Sequence, residues 1–410
     1  MHYDIATDKT TEKEIDITVP ATELDRFIKI EINKLKKDLS LNGFRKGKVP
    51  ESLIRTRYHD TLKAQAMNGL VTESFFKIIT ENKWRPASRA EMKNLKEDDE
   101  IKFRLRFETI PNFELGDYVG IEVLQKEPLP EDFLLEQAIK ELREQHANIR
   151  ETMRPAAVDD FITMDIEIFE NDKTKENKQN FKVRIGDRNL PDEINKVLVG
   201  VRKTEKKQVR VDKQTYKIHI KKVEEKILPN IDADFAKVQK FEGIEQLRKK
   251  LLENAKKIEE KRLEDIAKET LSNILLEKNQ FEVPNALIEN EYRTILQRSN
   301  IPDSESNKER FRKPAEKRAR LDLIINKIAD KEKIQVKEEE IMNLITAMGV
   351  KLNDENRESI VSYIGNALTK EKTIDFLYKN AKISKKSRII SPKEDINDTR
   401  SVRHRANRPG

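Results

Sequence analysis

Apolar and polar residues alternate along KEIDITVP, residues 13–20, and this period of two predicts a half-buried strand. The period then changes. Leu24, Phe27, Ile28, Ile32, Leu35 and Leu39 recur every three or four residues, which predicts a helix with one apolar face, capped by Thr22 and starting near Glu23. Its other face carries Lys29, Lys34, Lys36 and Lys37. A second helical pattern covers 51–83, with Ile54, Tyr58, Leu62, Ala66 and Leu70 in register. IKFRLRFETI, 101–110, alternates again and predicts a second strand. The segment NGFRKGKVP, 42–50, is therefore a short connection between two helices, and such a connection lies at a tip.

Further along, Pro128 and Pro130 introduce a helical segment over 133–149. RPAAVDDFITMDIEIF, 154–169, opens a β-rich stretch, to which KVRIGD and QVRVDKQTYKIHIKKV add short strands. Residues 172–180 read as a polar turn region, and ILPN, 227–230, closes the stretch. From Phe235 onward the period is helical. One stripe holds Phe241, Ile244, Leu247, Leu251, Ala255 and Ile258 and continues through Leu263, Ile266, Leu271 and Ile274. Later stripes are Leu323, Ile324 and Ile328; Ile341, Leu344, Ile345 and Met348; and Ile360, Tyr363, Ile364 and Leu368. Pro284, Pro302 and Pro314 mark helix boundaries. Most of these stripes are expected to pack on one another, since such helices are stable chiefly through tertiary contacts. Beyond Ile383 the sequence is basic and aperiodic; it reads as a disordered tail suited to a weak RNA contact.

Composition narrows the function. A chain of 410 residues is long enough for two or three domains with real cores. Charged residues make up 38% against 36% hydrophobic, a balance that suits surface-rich helical architecture. The net charge of +7 favours an anionic partner without demanding nucleic acid. Cysteine is absent, which fits a reducing compartment. The start, MHYDIATDKT, is no secretory signal, and no apolar run approaches the roughly 20 residues of a membrane span. A cytoplasmic protein without membrane contact is expected. His2, His59, His146, His219 and His404 are scattered without metal-ligand spacing, so no metal site is expected. Neither a GxxxxGK[ST] loop nor a GxGxxG fingerprint occurs; no cofactor and no ATP dependence are expected. Paired acidic residues read as solvated helix faces rather than acid/base dyads, and no catalytic residue is assigned. Proline-punctuated, irregular stripes also argue against a coiled-coil scaffold.

The tip remains. Gly43 and Gly47 can take positive φ, and Pro50 can open the second helix, so that Phe44, Arg45 and Lys46 are presented outward. An aromatic among cations suits a partner with a pocket and negative charge. A loop of this composition taken alone is more often one whose aromatic folds back into its own domain.

NGFRKGKVP resembles the GFRxGxxP signature of trigger factor, a family of ribosome-associated chaperones: Gly43, Phe44, Arg45, Gly47 and Pro50 all match. FEVPNALIENEYRTILQ, 281–297, is similar to the family's C-domain FxVPxxLI region, and AEKRARLDLIINKIADKEKIQVKEEEI, 315–341, to the helix pair that follows it. The resemblance implies an α+β multidomain fold. An α/β ribosome-binding domain with a helix-loop-helix tip would cover 1–112 and a linker 113–150. A small, shortened FKBP-like prolyl isomerase domain would cover 151–226. A large all-helical, client-binding domain with arms would cover 227–383, leaving 384–410 as the basic tail.

It further implies an ATP-independent chaperone that docks beside the exit tunnel of the large ribosomal subunit, on ribosomal protein and RNA, and shields nascent and unfolded polypeptides. The docking residues would be Gly43, Phe44, Arg45, Lys46, Gly47, Lys48 and Pro50. Whether the free protein forms a homodimer is left open. The isomerase pocket would be built from Phe161, Ile166, Ile194 and Tyr216. Ile166 stands where the family usually has an aromatic, and Asp192, Glu193 and Ile194 stand where glycine and an aromatic are expected. Only four residues separate Val211 from Tyr216, too few for the usual closing loop. Weak or absent isomerase activity is therefore expected. The alternatives are a ribosome-associated peptidyl-prolyl cis-trans isomerase and a general RNA-binding protein.

Overall fold

The computed structural model describes residues 1–41, 44–170, 173–187 and 190–386. They divide into two compact units: Met1–Gln125 with Ile266–Ser384, and Lys126–Asp265 with the described residues that follow Ser384.

The chain begins with β1 (His2–Asp8), β2 (Glu12–Pro20), α1 (Ala21–Asp38), α2 (Glu51–Arg57), α3 (His59–Glu81), β3 (Glu91–Glu97), β4 (Glu100–Glu108) and β5 (Glu122–Lys126). The first four strands form an antiparallel sheet in the order β1-β2-β4-β3. Both predicted strands are its centre. Ile15, Ile17 and Val19 alternate with Ile101, Phe103, Leu105 and Phe107 on one face, which Phe27, Met67, Leu70 and Ile78 of α1 and α3 cover. The other face is polar; Arg104 donates from Nε and Nη2 to Asp16 at 2.7 Å each. Sequence periodicity misses β1 and β3 because they are edge strands with almost every residue exposed, so no apolar face is written into them.

Two local expectations differ. Thr22 is not the cap: Pro20, at φ −60° and ψ 144°, already directs the chain into α1, which starts at Ala21 with no side-chain cap. The second helix is two, interrupted at Tyr58 with φ −117° and ψ 22°. Ile54 and Leu62, on either side of the break, enter a small core near the tip, whereas Ala66 onward faces the sheet.

The second unit holds α4 (Glu131–Gln145), β6 (Asn148–Glu151), β7 (Phe161–Glu170), β8 (Lys173–Arg184), α5 (Asp192–Leu198), β9 (Lys206–Val211), β10 (Gln214–Ile227), α6 (Ala233–Val238) and the start of α7 (Ile244–Lys278). Its five-stranded sheet runs β6-β10-β7-β8, with β9 also on β10. The helix expected over 133–149 ends at Gln145, and Asn148–Glu151 joins the sheet against β10. The expected turn at 172–180 is mostly strand. Its first residue, Asp172, lies outside the described residues, and the remainder pairs along β7, from Lys173 opposite Glu170 to Lys178 opposite Ile166. Backbone pairing suffices there, and exposed polar side chains leave no alternation to read.

Carboxylates on this sheet are bridged. Glu224 accepts from Lys182 at 2.6 Å and Lys222 at 2.7 Å, and these bonds hold its carboxyl below the ordinary 4.5 of a glutamate. Bonds from Arg154 and then Arg150 depress Glu225 in the same way. Depressed folded values contribute stability above the ordinary value and lose it as pH falls through the folded one. Thermal stability should therefore fall between about pH 5 and pH 3, and a melting temperature flat over that range would deny the bridges a role.

The rest of the chain is α8 (Asn285–Ser299), α9 (Glu305–Glu332), α10 (Glu338–Ala347), α11 (Arg357–Lys379) and β11 (Lys382–Lys386). Leu271 and Leu275 of α7, Ile324 and Ile328 of α9 and Leu377 of α11 form a core with Tyr118, Ile121 and Val123. Pro284 precedes α8 and Pro302 lies between α8 and α9, but Pro314 sits inside α9. Its ring is exposed, while Ala315 and Ala319 are buried against α8, and that packing outweighs a local cost of about 3 kcal/mol. The stretch expected to be tail begins as β11, paired with β5; residues 387–410 lie outside the described residues. The α+β organisation stands, with one small sheet unit and a helical C-terminal region.

Candidate functional site

The tip between α1 and α2 is anchored by one side chain. Val49 is fully buried with Ile32, Ile54 and Leu62, and Leu35, Leu39, Leu41 and Tyr58 pack around them. Val49 was not among the expected site residues. Its signal was present: it is the one aliphatic residue between Phe44 and Leu53.

The loop is closed by short backbone bonds. The Phe44 N–H donates to the Leu41 carbonyl at 2.9 Å, and the Lys48 N–H donates to the Arg45 carbonyl at 2.9 Å. Gly47 in that turn has φ +80°; a Cβ would meet open space, so any cost of substitution is purely conformational. Pro50 ends the loop at φ −61°, immediately before α2. Gly43 lies outside the described residues.

Among the described residues Phe44 belongs to no apolar core cluster, and it is 39% exposed. Arg45, Lys46 and Lys48 beside it are exposed as well. Lys46 lies 3.2 Å from Asp38, an exposed pair of little worth. Among the described residues no carboxylate is within ion-pair distance of Arg45 or Lys48. Lys36 and Lys37 add charge from the last turn of α1. The arrangement is a partly exposed aromatic ring on a pinned loop among exposed cations, of which, among the described residues, Arg45 and Lys48 have no carboxylate beside them and Lys46 and Lys36 only the exposed Asp38 and Glu51.

The four pocket candidates of the second unit are not one constellation. Opposed residues of an antiparallel pair share a face, and Ile218 lies opposite Ile166, Tyr216 opposite Ile168. Ile166 and Ile194 are 3% and 1% exposed in the core of the unit, with Tyr216 packed at its edge. Phe161 is out of step with the buried Ile162, Met164 and Ile166 and lies on the other face, with the Lys182 ammonium 5.3 Å from its ring centre. The structure thus brings Ile166, Ile194 and Tyr216 together and leaves Phe161 apart.

Comparison with known proteins bears on the tip; the four pocket candidates lie outside both matched regions. A family model described as the bacterial trigger factor protein matches residues 1–142, and a model of the bacterial trigger factor C-terminus matches residues 243–383. The chain belongs to the trigger factor family. Similar proteins include the trigger factor of Caldicellulosiruptor bescii, 28% identical over 428 residues that cover 93% of this chain and 97% of the relative. The trigger factor of Desulfotalea psychrophila is 28% identical over 415 residues, covering 91% and 93%. A solved trigger factor chaperone is 19% identical, with 92% of this chain and 99% of its own covered, at a TM-score of 0.45. The tip falls inside the region matched by the N-terminal trigger factor model, and FEVPNALI inside that matched by the C-terminal one. Among the described residues no helix is long and apolar enough to cross a membrane.

Proposed function

We propose that the chain is an ATP-independent cytoplasmic chaperone that docks on the large ribosomal subunit beside the exit tunnel and shields newly made polypeptides. Membership of the trigger factor family supports the chaperone and its association with ribosomes. The observation that supports this docking mode is the tip: Phe44 is solvent-facing although flanked by a wholly buried anchor, Val49. A loop with a core available to it leaves part of a large aromatic outside only at an energetic cost, about 1 kcal/mol for the 39% of Phe44 that stays open. A partner that covers the ring recovers that energy, and Arg45, Lys46 and Lys48 give the contact its affinity for RNA phosphate or acidic protein. Docking then raises the local concentration of the chaperone around each emerging chain.

Exposed apolar side chains supply the client surface. Met348 and Val350 follow α10, and Tyr363 on α11 is 60% exposed, its hydroxyl bonded to Arg298 at 2.8 Å. Scattered apolar residues in a charged frame hold unfolded segments without demanding a sequence.

Cosedimentation with ribosomes tests the reading. The full chain is expected to pellet with them, and a chain with alanine at Phe44, Arg45 and Lys46 to remain in solution while still suppressing aggregation of a diluted, unfolded client. Loss of both activities together, or of neither, would refute the division of labour. Binding should also weaken with salt, each phosphate contact adding roughly 0.7–0.9 to the logarithmic slope. A salt-indifferent constant would mean an apolar contact made to protein.

A further inference from the structure

In the unit formed by Met1–Gln125 and Ile266–Ser384, a cavity of about 500 Å³ opens between the segment after α3, the segment after β4, and α9. Four cations line it: Lys13 of β2, Lys83 and Arg85 after α3, and Lys327 of α9; no carboxylate does. Some cations elsewhere in the unit are bridged, as Arg104 is to Asp16 and Lys370 to Asp322. Among the described residues no carboxylate is within ion-pair distance of Lys83, Arg85 or Lys327.

Aromatic rings flank two of the four cations. The Lys13 ammonium, nearly buried and also bonded to Asp8, stands 5.3 Å from the centre of the Trp84 ring. Lys327 stands 4.4 Å from that of Phe113, whose ring is stacked on Phe281 at 3.9 Å. A ring face positions a cation without neutralising it. Lys83, Arg85 and Lys327, like charges from two chain segments with no carboxylate in ion-pair distance among the described residues, repel one another, and a bound anion relieves that repulsion. One carboxylate carries too little charge for three unpaired cations. A chain of phosphates carries enough, and its many oxygens can accept from donors on several sides. The volume lies in the usual range of small-ligand sites, about 300–1,000 Å³, and exceeds what a single phosphate fills.

We propose that this cavity binds a small anion with two or more linked phosphates, either an inorganic oligophosphate or a nucleoside diphosphate. Binding is the whole of the claim, and it stands independently of the chaperone reading. Such a ligand would clamp Lys83 and Arg85 to Lys327, tying the end of α3 to α9.

Trp84 is the chain's single tryptophan, so selectively excited indole fluorescence reports this cavity alone. The full chain is titrated with tripolyphosphate and, separately, with adenosine diphosphate. A saturable fluorescence change is expected. Tighter binding of the nucleotide would assign a ring against the Trp84 wall, and the reverse order would assign the inorganic chain. Arg85→Gln with Lys327→Gln should weaken binding about a hundredfold, tenfold for each charge-assisted bond lost. Lys249→Gln, an exposed charge removed from the other unit, should change nothing. Arg85 is exposed, so Arg85→Gln alone keeps the test intact should the double variant unfold. The proposal is overturned if neither ligand saturates by millimolar concentration, if the variants bind as the parent does, or if a glutamate-rich peptide competes equally well.

Discussion

Phe44→Ala is expected to weaken ribosome binding by about 2 kcal/mol or more, roughly thirtyfold, and to leave thermal stability within about 0.5 kcal/mol of the parent. The two halves of this expectation come from one fact: among the described residues the ring joins no apolar core cluster, so its removal opens no core cavity. What it loses is a desolvated anchor in a pocket of the partner, where truncated aromatics are most costly. Val49→Ala is the control. Its side chain is wholly buried with Ile32, Ile54 and Leu62, so stability should fall by about 2 kcal/mol. Docking should weaken too, because an unpinned loop must be ordered on binding. Cosedimentation and a melting curve on both variants decide the matter. An early-melting Phe44→Ala with intact ribosome affinity would make Phe44 a core residue and end the docking claim.

How much of this was legible in the sequence depended on whether burial had written a period into the chain. The central strands of the first sheet, the face of α1 and the second half of α7 bury one side, and alternation or helical spacing declared them; in the middle of α7, Ile258 of the expected stripe is exposed while Glu259 and Arg262 are buried. Strands β1, β3 and most of β8 bury almost nothing; they form because neighbouring strands offer backbone partners, and polar composition disguised them as turn or terminus. Pro314 misled for a related reason. Its cost is local, while the Ala315 and Ala319 contacts that override it are tertiary. At the tip, the sequence marked the exposed residues through glycine, proline and the family signature, yet not Val49, whose role is visible only once Ile32 and Leu62 are seen to close around it. The cavity at Trp84 was beyond reach, since its cations come from positions 13, 83, 85 and 327.

The full chain should accelerate the cis-to-trans isomerisation of a short Xaa-Pro peptide weakly or not at all. The uncatalysed barrier, about 18–20 kcal/mol, is the resonance energy of the amide, and it falls when the proline enters an apolar cleft where the charge-separated planar form loses its solvation. Such a cleft needs apolar side chains with free faces. Ile166 and Ile194 have none, at 3% and 1% exposure; they are spent on the unit's own core. Tyr216 packs at the edge of that core and turns its hydroxyl to Gln214 at 2.8 Å. Phe161 is on the opposite face of the sheet, beneath Lys182. Nor is there a segment to close over the sheet between β9 and β10. Val211 pairs directly with Gln214, and Asp212, at φ +54°, and Lys213 make the whole turn. We propose that a unit built this way serves as a spacer or an accessory client surface. Peptide isomerisation near the rate of an ordinary FKBP domain would overturn this reading and favour the enzyme. Opening a cleft by substitution is the converse test: Ile194→Ala should cost about 2–5 kcal/mol of stability through the cavity it leaves, with no gain in isomerase rate, because the aromatic walls would still be missing.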